Sequence, residues 1–417
     1  MRCRPSSDVP AGSRATWRAL GSGWGAGRGA GAGAAGVGGG VEVSDMASRA
    51  LYPATGAQPV VCTGVAWVTR PAWPHFQNPA PHHRSPRMPA PTDTLALVCE
   101  HLADDLASLR LRRWPLPPMG PADVRVGMAA VALNFPDLLM TRGLYQFKPP
   151  VPHVPGMEGS GVVLEAGPDS GWKPGDRVGL GGKHGLLAEQ VVVPGASLRA
   201  LPAGLALDAA AAVLVTGLTA WVALARIGRL QRGETLLVHG ARGGVGQACV
   251  QIGLHLGARV IATATDPTRI ADLAEHGVTV LPSSGFREAV LAATAGRGAD
   301  VVADPVGGDV FDESSRCTAF GGRLLVLGFA SGRIATVATN RPLIKGFSVV
   351  GVRAGEYGRH FPAHHAEHLA AVHRLAETGV LRPAIGARFP LAQAKEALAT
   401  MARREVTGKI VVTIGGG

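Results

Sequence analysis

Between Leu95 and Pro194 the apolar residues fall into short runs, "LALVCEH", "DVRVGMAAVAL", "GSGVVLEAG", "DRVGL" and "AEQVVVP", parted by turn-formers such as "GPDSGWKPGD". Short strand-like runs at close spacing, with Gly, Pro and Asp between them, predict an all-β, barrel-like unit over residues 94–215. Over residues 216–346 the pattern changes. "TLLVHG", "ARVIATA", "ADVVADP" and "GRLLVLGF" alternate with helical segments, which predicts a parallel sheet wound with helices. The stretch 347–417 opens with "FSVVGV", expected as the last strand of that sheet, and ends in "GKIVVTI", expected to pair back onto the first unit.

Residues 1–93 follow neither pattern. "GSGWGAGRGAGAGAAGVGGG" (residues 21–40) is too rich in glycine to repay its backbone entropy by packing, and a proline- and histidine-rich stretch follows. The expectation is a disordered low-complexity tail. An arginine-bearing, acid-poor leader fits a targeting segment. An early start, with translation beginning at Met46 or Met88, fits better, because "TDTLALVCEH" just after Met88 is the first strand-like stretch.

The chain has 417 residues, is 46% hydrophobic and 17% charged, and carries a formal net charge of +11. This is room for two domains in a soluble globular protein. The charge would suggest nucleic acid, but nine arginines against Asp8, Glu42 and Asp45 place more than half of the excess in residues 1–87. No run of about 18 uncharged apolar residues exists, so no membrane span is expected. Cys3, Cys62, Cys99, Cys249 and Cys317 lie far apart and form no CxxC pair. They indicate neither a zinc knuckle nor a disulfide framework, and they suit a reducing cytoplasm.

The candidate chemistry lies in "ETLLVHGARGGVGQACVQIGLHLGARVIATATDPTR". Gly240, Gly243, Gly244, Val245 and Gly246 stand where a strand turns into a helix-like run. There a dinucleotide needs glycine for the tight turn, for close approach of the pyrophosphate and for helix–strand packing, and the helix N-terminus supplies free N–H groups. The spacing is G-x-x-G-x-x-G rather than the usual G-x-G-x-x-G. The next strand ends at Ala264 and Thr265, with no acidic residue to hold a ribose 2′-hydroxyl. Asp266 precedes Pro267 and is expected to cap a helix. Arg269, one turn in, is placed to pair with a 2′-phosphate. The expected cofactor is NADPH.

Five stretches, "NFPDLLMTRGLYQ", "VPGMEGSGVVLEAG", "KPGDRV", "LVTGLTAW" and "GARGGVGQACVQ", in this order and spacing, resemble the zinc-free quinone oxidoreductase (zeta-crystallin-like) branch of the medium-chain dehydrogenase/reductase superfamily. The resemblance runs from about Thr94 to Ile414. It implies a Rossmann doubly wound parallel sheet domain plus a GroES-like, mostly-β barrel catalytic domain. Asn134 and Met157 stand where zinc alcohol dehydrogenases of the superfamily carry cysteine and histidine, and no four-cysteine lobe is present. An amide and a thioether do not replace thiolate and imidazole on zinc, so no metal is expected.

Hydride transfer to an electron-poor acceptor, a quinone or an α,β-unsaturated carbonyl, is then the expected reaction. By the same resemblance Asn134, Asp137 and Tyr145 line the acceptor pocket. Asn134 would donate to the acceptor oxygen, Tyr145 would polarise it or relay a proton, and Asp137 would orient them. Asp137 also fits a simple helix cap and Tyr145 a packing role at the cleft edge. Thr216 and Thr219 would face the nicotinamide half, Gly328 and Phe329 would border it, and Lys409 would return to the cleft. Leu139 stands where some relatives have a second tyrosine, which makes the pocket more apolar. Glu158 is expected to support the fold.

Two other functions stay open at this stage. One is an enoyl-CoA or acryloyl-CoA reductase on the same scaffold, with Arg353, Arg359 and neighbouring histidines as a basic patch. The other, of a different class, is an RNA-binding or structural crystallin-like protein, although the tail has no RGG repeat. The resemblance also implies a homodimer or a dimer of dimers joined at sheet edges.

Overall fold

The computed structural model describes residues 92–415. The tail and both start positions considered for it lie outside the described residues. The catalytic half holds β1 (Asp93–Cys99), β2 (Leu109–Pro115), β3 (Asp123–Ala132), β4 (Glu158–Ala166), β5 (Arg177–Gly181), β6 (Gln190–Pro194) and β7 (Arg199–Ala200). β3 alternates buried and half-buried positions along "DVRVGMAAVA", as a strand with one face on a core must. Its valines and Met128 pack with β1, β4 and β5 in a core that includes Leu97, Val126, Val163 and Leu180.

The second half holds β8 (Thr235–Val238), β9 (Arg259–Ala264), β10 (Thr279–Pro282), β11 (Ala299–Asp304), β12 (Thr318–Val326) and β13 (Ser348–Gly351). These make one six-stranded sheet in the order β10-β9-β8-β11-β12-β13, with every adjacent pair parallel. This is the doubly wound dinucleotide-binding order, and the strand order reverses between β8 and β11. All four residues of β8 are buried, because helices cover both faces of the sheet.

The chain then returns. β14 (Ile385–Pro390) and β15 (Lys409–Thr413) join the first half, with β15 antiparallel to β3. A division at residue 346 falls before β13 and before the helix Pro362–Glu377. Leu369, Val372 and Leu375 of that helix pack in the wound sheet's core, so the return begins only after Leu381. The expected helix after Asp266 is a tight 3-10 segment, Pro267–His276, broken at Ile270. Ile270 is its sole buried residue, so little packing energy holds it to α geometry.

Candidate functional site

β8 delivers the chain to Gly240, which sits at φ +60° and makes the first sharp turn. The Gly243 N–H donates to the Gly240 carbonyl at 2.9 Å, and Gly243 caps the helix Gly244–His255. A Cβ on Gly246 would overlap the Gly240 carbonyl oxygen, so glycine is required for this helix to approach its strand. A Cβ on Gly244 would meet the Lys409 side chain at 2.7 Å and Thr216 Cγ2 at 3.0 Å. Gly243 is exposed, whereas Val245 packs against the sheet core. The first-turn N–H groups of the helix have no intrahelical partner, which leaves them to an anion. The cradle fits a pyrophosphate on the physical grounds of bare backbone, a helix N-terminus and a position at the strand-order reversal.

At the end of β9, Ala264 is buried and Thr265 exposed. Asp266 accepts from the Thr268 N–H at 3.1 Å and from its hydroxyl at 2.5 Å, so it acts as the cap. Arg269 is exposed and donates to the Glu405 carbonyl at 3.0 Å. Arg242, inside the glycine turn, donates to the Arg404 carbonyl. Burial and then the charge of Arg269 pull the Arg242 guanidinium below its ordinary range. The two guanidiniums share this corner with the Asp266 carboxylate, whose charge opposes the shift. Sequence reading missed Arg242; an arginine inside a phosphate-type turn was the available signal.

A second set of residues lies buried between the halves. Asn134 begins the helix Phe135–Thr141, and its N–H donates to Asp137 Oδ2 at 2.8 Å. Asp137 Oδ1 accepts from the Gly156 N–H at 3.0 Å. Glu158 accepts from Asn134 Nδ2 at 2.9 Å, from Lys409 Nζ at 2.8 Å and from the Val215 N–H at 2.8 Å. Lys409 Nζ also donates to the Leu133 carbonyl and to Asn134 Oδ1, each at 2.8 Å. Burial, with a smaller push from Glu158, raises Asp137 to about 7 against the pull of its two N–H bonds and of Lys409.

Known proteins match the chain over both halves. Residues 120–203 match the alcohol dehydrogenase GroES-like domain and residues 244–370 the zinc-binding dehydrogenase domain. Quinone oxidoreductase-like protein 2 of Mus musculus is 35% identical over 359 residues, 85% of this chain and 97% of its own length. The chain belongs to the quinone oxidoreductase branch of the medium-chain dehydrogenase/reductase superfamily.

Among solved structures, the quinone oxidoreductase of Thermus thermophilus, determined alone and with NADPH, is 34% identical with a TM-score of 0.68, covering 77% of this chain and 100% of its own. A probable oxidoreductase of Mycobacterium abscessus is 36% identical with a TM-score of 0.69, covering 78% of this chain and 100% of its own. The oxidoreductase takes a nicotinamide cofactor, as the superfamily does. Among the described residues no helix is long and apolar enough to cross a membrane, and no group of three or more His, Cys, Asp or Glu is arranged to hold a metal ion.

The residues expected beside the nicotinamide lie on two elements, and a third braces them. Thr216 and Thr219 lie on the helix Leu214–Trp221, where their hydroxyls donate back to the carbonyls of Ala212 at 3.2 Å and Val215 at 2.7 Å. Gly328 and Phe329 follow β12. A Cβ on Gly328 would lie 3.2 Å from the Pro305 carbonyl oxygen, and the Phe329 ring covers Gly307. Buried Asp304, also missed in the sequence, braces the β11 turn by accepting from the N–H groups of Val306 at 2.8 Å and Gly307 at 2.9 Å.

Two expectations need correction. Asn134 was to donate to an acceptor oxygen, but its carboxamide is spent: Nδ2 serves Glu158 and the Ala132 carbonyl, and Oδ1 serves Lys409. Asp137 was to orient catalytic partners, but it is fully buried and caps the helix, acting on the main chain alone. Of the three, Tyr145 remains open, half-buried in the loop after that helix. Burial raises its phenol above the ordinary value, opposed by the charges of Arg353 and Arg359.

Proposed function

We propose that this oxidoreductase uses NADPH to reduce a quinone or an α,β-unsaturated carbonyl without zinc. The observation that carries the reading is the pairing of the bare glycine turn with two guanidiniums, Arg242 and Arg269, at a strand end whose one carboxylate, Asp266, is engaged with Thr268 as the cap. The NADPH complex of the Thermus thermophilus relative supports it.

When bound, the reduced nicotinamide supplies a hydride to an electron-poor carbon of the acceptor; the displaced electron pair moves onto the carbonyl oxygen, and a solvent proton completes the reduced product. The chain's residues prepare this. The helix N-terminus at Gly244 holds the pyrophosphate, and Thr216, Thr219 and Phe329 border the nicotinamide. Tyr145 meets the acceptor oxygen. Because burial raises its pKa, the phenol keeps its proton near neutral pH and donates to the oxygen as charge builds there. Lys409 and Glu158 lie deeper and set the frame. Their chemistry argues against a divalent ion, since the Lys409 ammonium already sits on Asn134 and Glu158.

The test is a stopped assay of NADPH and NADH oxidation against quinones, enals and enoyl thioesters, with metal analysis of the same preparation. The expected result is NADPH-dependent turnover that survives chelators, with no stoichiometric zinc. Preference for NADH, or turnover lost with a tightly bound metal, overturns the reading.

A further inference from the structure

A cluster of charge beside Tyr145 has no part in the reaction described so far. The helix Ala354–His360 packs against the helix Leu214–Trp221, which carries Thr216 and Thr219. On it Glu356 pairs with Arg359 at 2.5 Å and with Arg353 at 3.4 Å. The charge of Lys183, from the catalytic half, acts on the same carboxylate. Two arginines thus share one carboxylate, and Lys183 adds a weaker, more distant charge. Lys183 is exposed and lies 4.7 Å above the Phe147 ring, two residues beyond Tyr145. His184 stacks on the other part of this wall, 5.8 Å from Phe147. The side chains of Arg353 and Arg359 are 56% and 49% exposed, so both guanidiniums have donors free for a ligand.

The arrangement is asymmetric. Toward the expected nicotinamide side the residues are uncharged, Phe329 and the two threonines, whose hydroxyls bond back to their own helix. Toward the outside the site is cationic and aromatic. A small neutral quinone has no use for the outer part. We propose that the natural acceptor carries a phosphate or carboxylate remote from its reacting carbonyl, bound by Arg353, Arg359 and Lys183 while the carbonyl oxygen meets Tyr145. Both sources of negative charge present oxygens that a guanidinium fork pairs with. Glu356 holds the two arginines in place when the site is empty, and it competes with the incoming anion. This inference rests on the hydride-transfer reading above.

The experiment compares matched acceptors on the full chain with NADPH. One pair is 4-(3-oxobut-1-enyl)benzoate and its methyl ester, where the ring holds the charge away from the enone; the other is crotonyl-CoA and S-crotonyl-N-acetylcysteamine. Each charged member should exceed its neutral partner by about 10-fold or more in kcat/KM, and added salt should narrow the gap. The better of the two charged acceptors distinguishes a nucleotide-bearing thioester from a simple carboxylate. Arg353→Gln with Arg359→Gln should raise KM for charged acceptors about 10-fold and leave neutral ones within about 2-fold. Glu356→Gln should move the charged acceptors the other way, lowering their KM; a merely structural Glu356 would worsen both classes alike.

Equal kcat/KM within both pairs, or a uniform loss in Glu356→Gln, overturns the inference. A calorimetric titration with the saturated acid 4-(3-oxobutyl)benzoate separates the two readings. If no acceptor oxidises NADPH but the acid binds in an arginine-dependent way, the reaction is wrong and the anion site stands. If the acid does not bind, the site falls whatever the turnover.

Discussion

The Lys409 ammonium lies 2.8 Å from the Glu158 carboxylate, with side chains only 4% and 0% exposed. The pair joins β15, near the end of the chain, to β4, at the heart of the catalytic half. Its polar atoms are satisfied by Asn134, the Leu133 carbonyl and the Val215 N–H.

Removing one partner leaves the other charge buried and unpaired. Lys409→Ala should therefore destabilise the fold by about 3–5 kcal/mol. Lys409→Met with Glu158→Gln should cost much less, because the carboxamide can still accept from Val215 and no lone charge remains. Urea denaturation of the three proteins checks this; a double variant no better than the single would show that the pair's charges are not the cause.

Arg242 and Arg269 converge on one corner and make side-chain hydrogen bonds to carbonyls of Arg404 and Glu405. A hydrogen bond to a charged group contributes about 1.5–3 kcal/mol, and about 1.4 kcal/mol is tenfold in affinity. Arg242→Ala and Arg269→Ala should each weaken NADPH about 10- to 100-fold and leave NADH nearly unchanged. Fluorescence titration of both nucleotides measures it. Equal losses for both would move the two arginines away from the 2′-phosphate.

His239 is fully buried between the Thr263 hydroxyl at 2.8 Å and the Ser314 hydroxyl at 2.7 Å. Burial lowers its pKa from 6.5 to about 3. The unfolded chain therefore takes up a proton below about pH 6.5 that the folded chain refuses. The neutral ring's stability is fully present above that pH and is lost as pH falls toward 3, by up to about 1.4 kcal/mol per unit. His239→Gln should flatten the fall in Tm over this window. A slope unchanged from the parent protein would count against His239 as its source.

Among the described residues β13 pairs with β12 alone, and its other edge is open. Beside it Phe320, Leu343 and Ile344 are 86%, 80% and 75% exposed, and the Phe320 ring crowds the Gly346 turn that leads into the strand. An open edge with apolar residues around it invites pairing. The protein should be a dimer, or a tetramer built from two such dimers, joined through β13. Light scattering at micromolar concentration should show this for the parent chain and a monomer for Val349→Pro. A monomeric parent refutes it.

The local pattern of the chain was enough for the two halves, the parallel sheet, the glycine turn and the cap at Asp266. Each depends on residues close in sequence: period-two alternation in β3, a fully apolar β8, glycines whose missing Cβ the turn requires, and an Asp before a Pro. The tertiary structure alone decided which polar side chains remain free. Asn134 and Asp137 look like catalytic groups in a linear reading. Lys409 and Glu158, 275 and 24 positions away from Asn134, take up the carboxamide, and the Gly156 N–H and burial take up the aspartate. Arg242 was in plain view but gained meaning only when β9 brought Arg269 beside it; Arg353 and Arg359 were legible as a basic patch, and the fold added Glu356 between them and the charge of Lys183 from the catalytic half. Backbone conformation is set mainly by neighbours along the chain, whereas a buried donor or charge must be satisfied by whatever the fold brings within about 3 Å, at any separation in sequence.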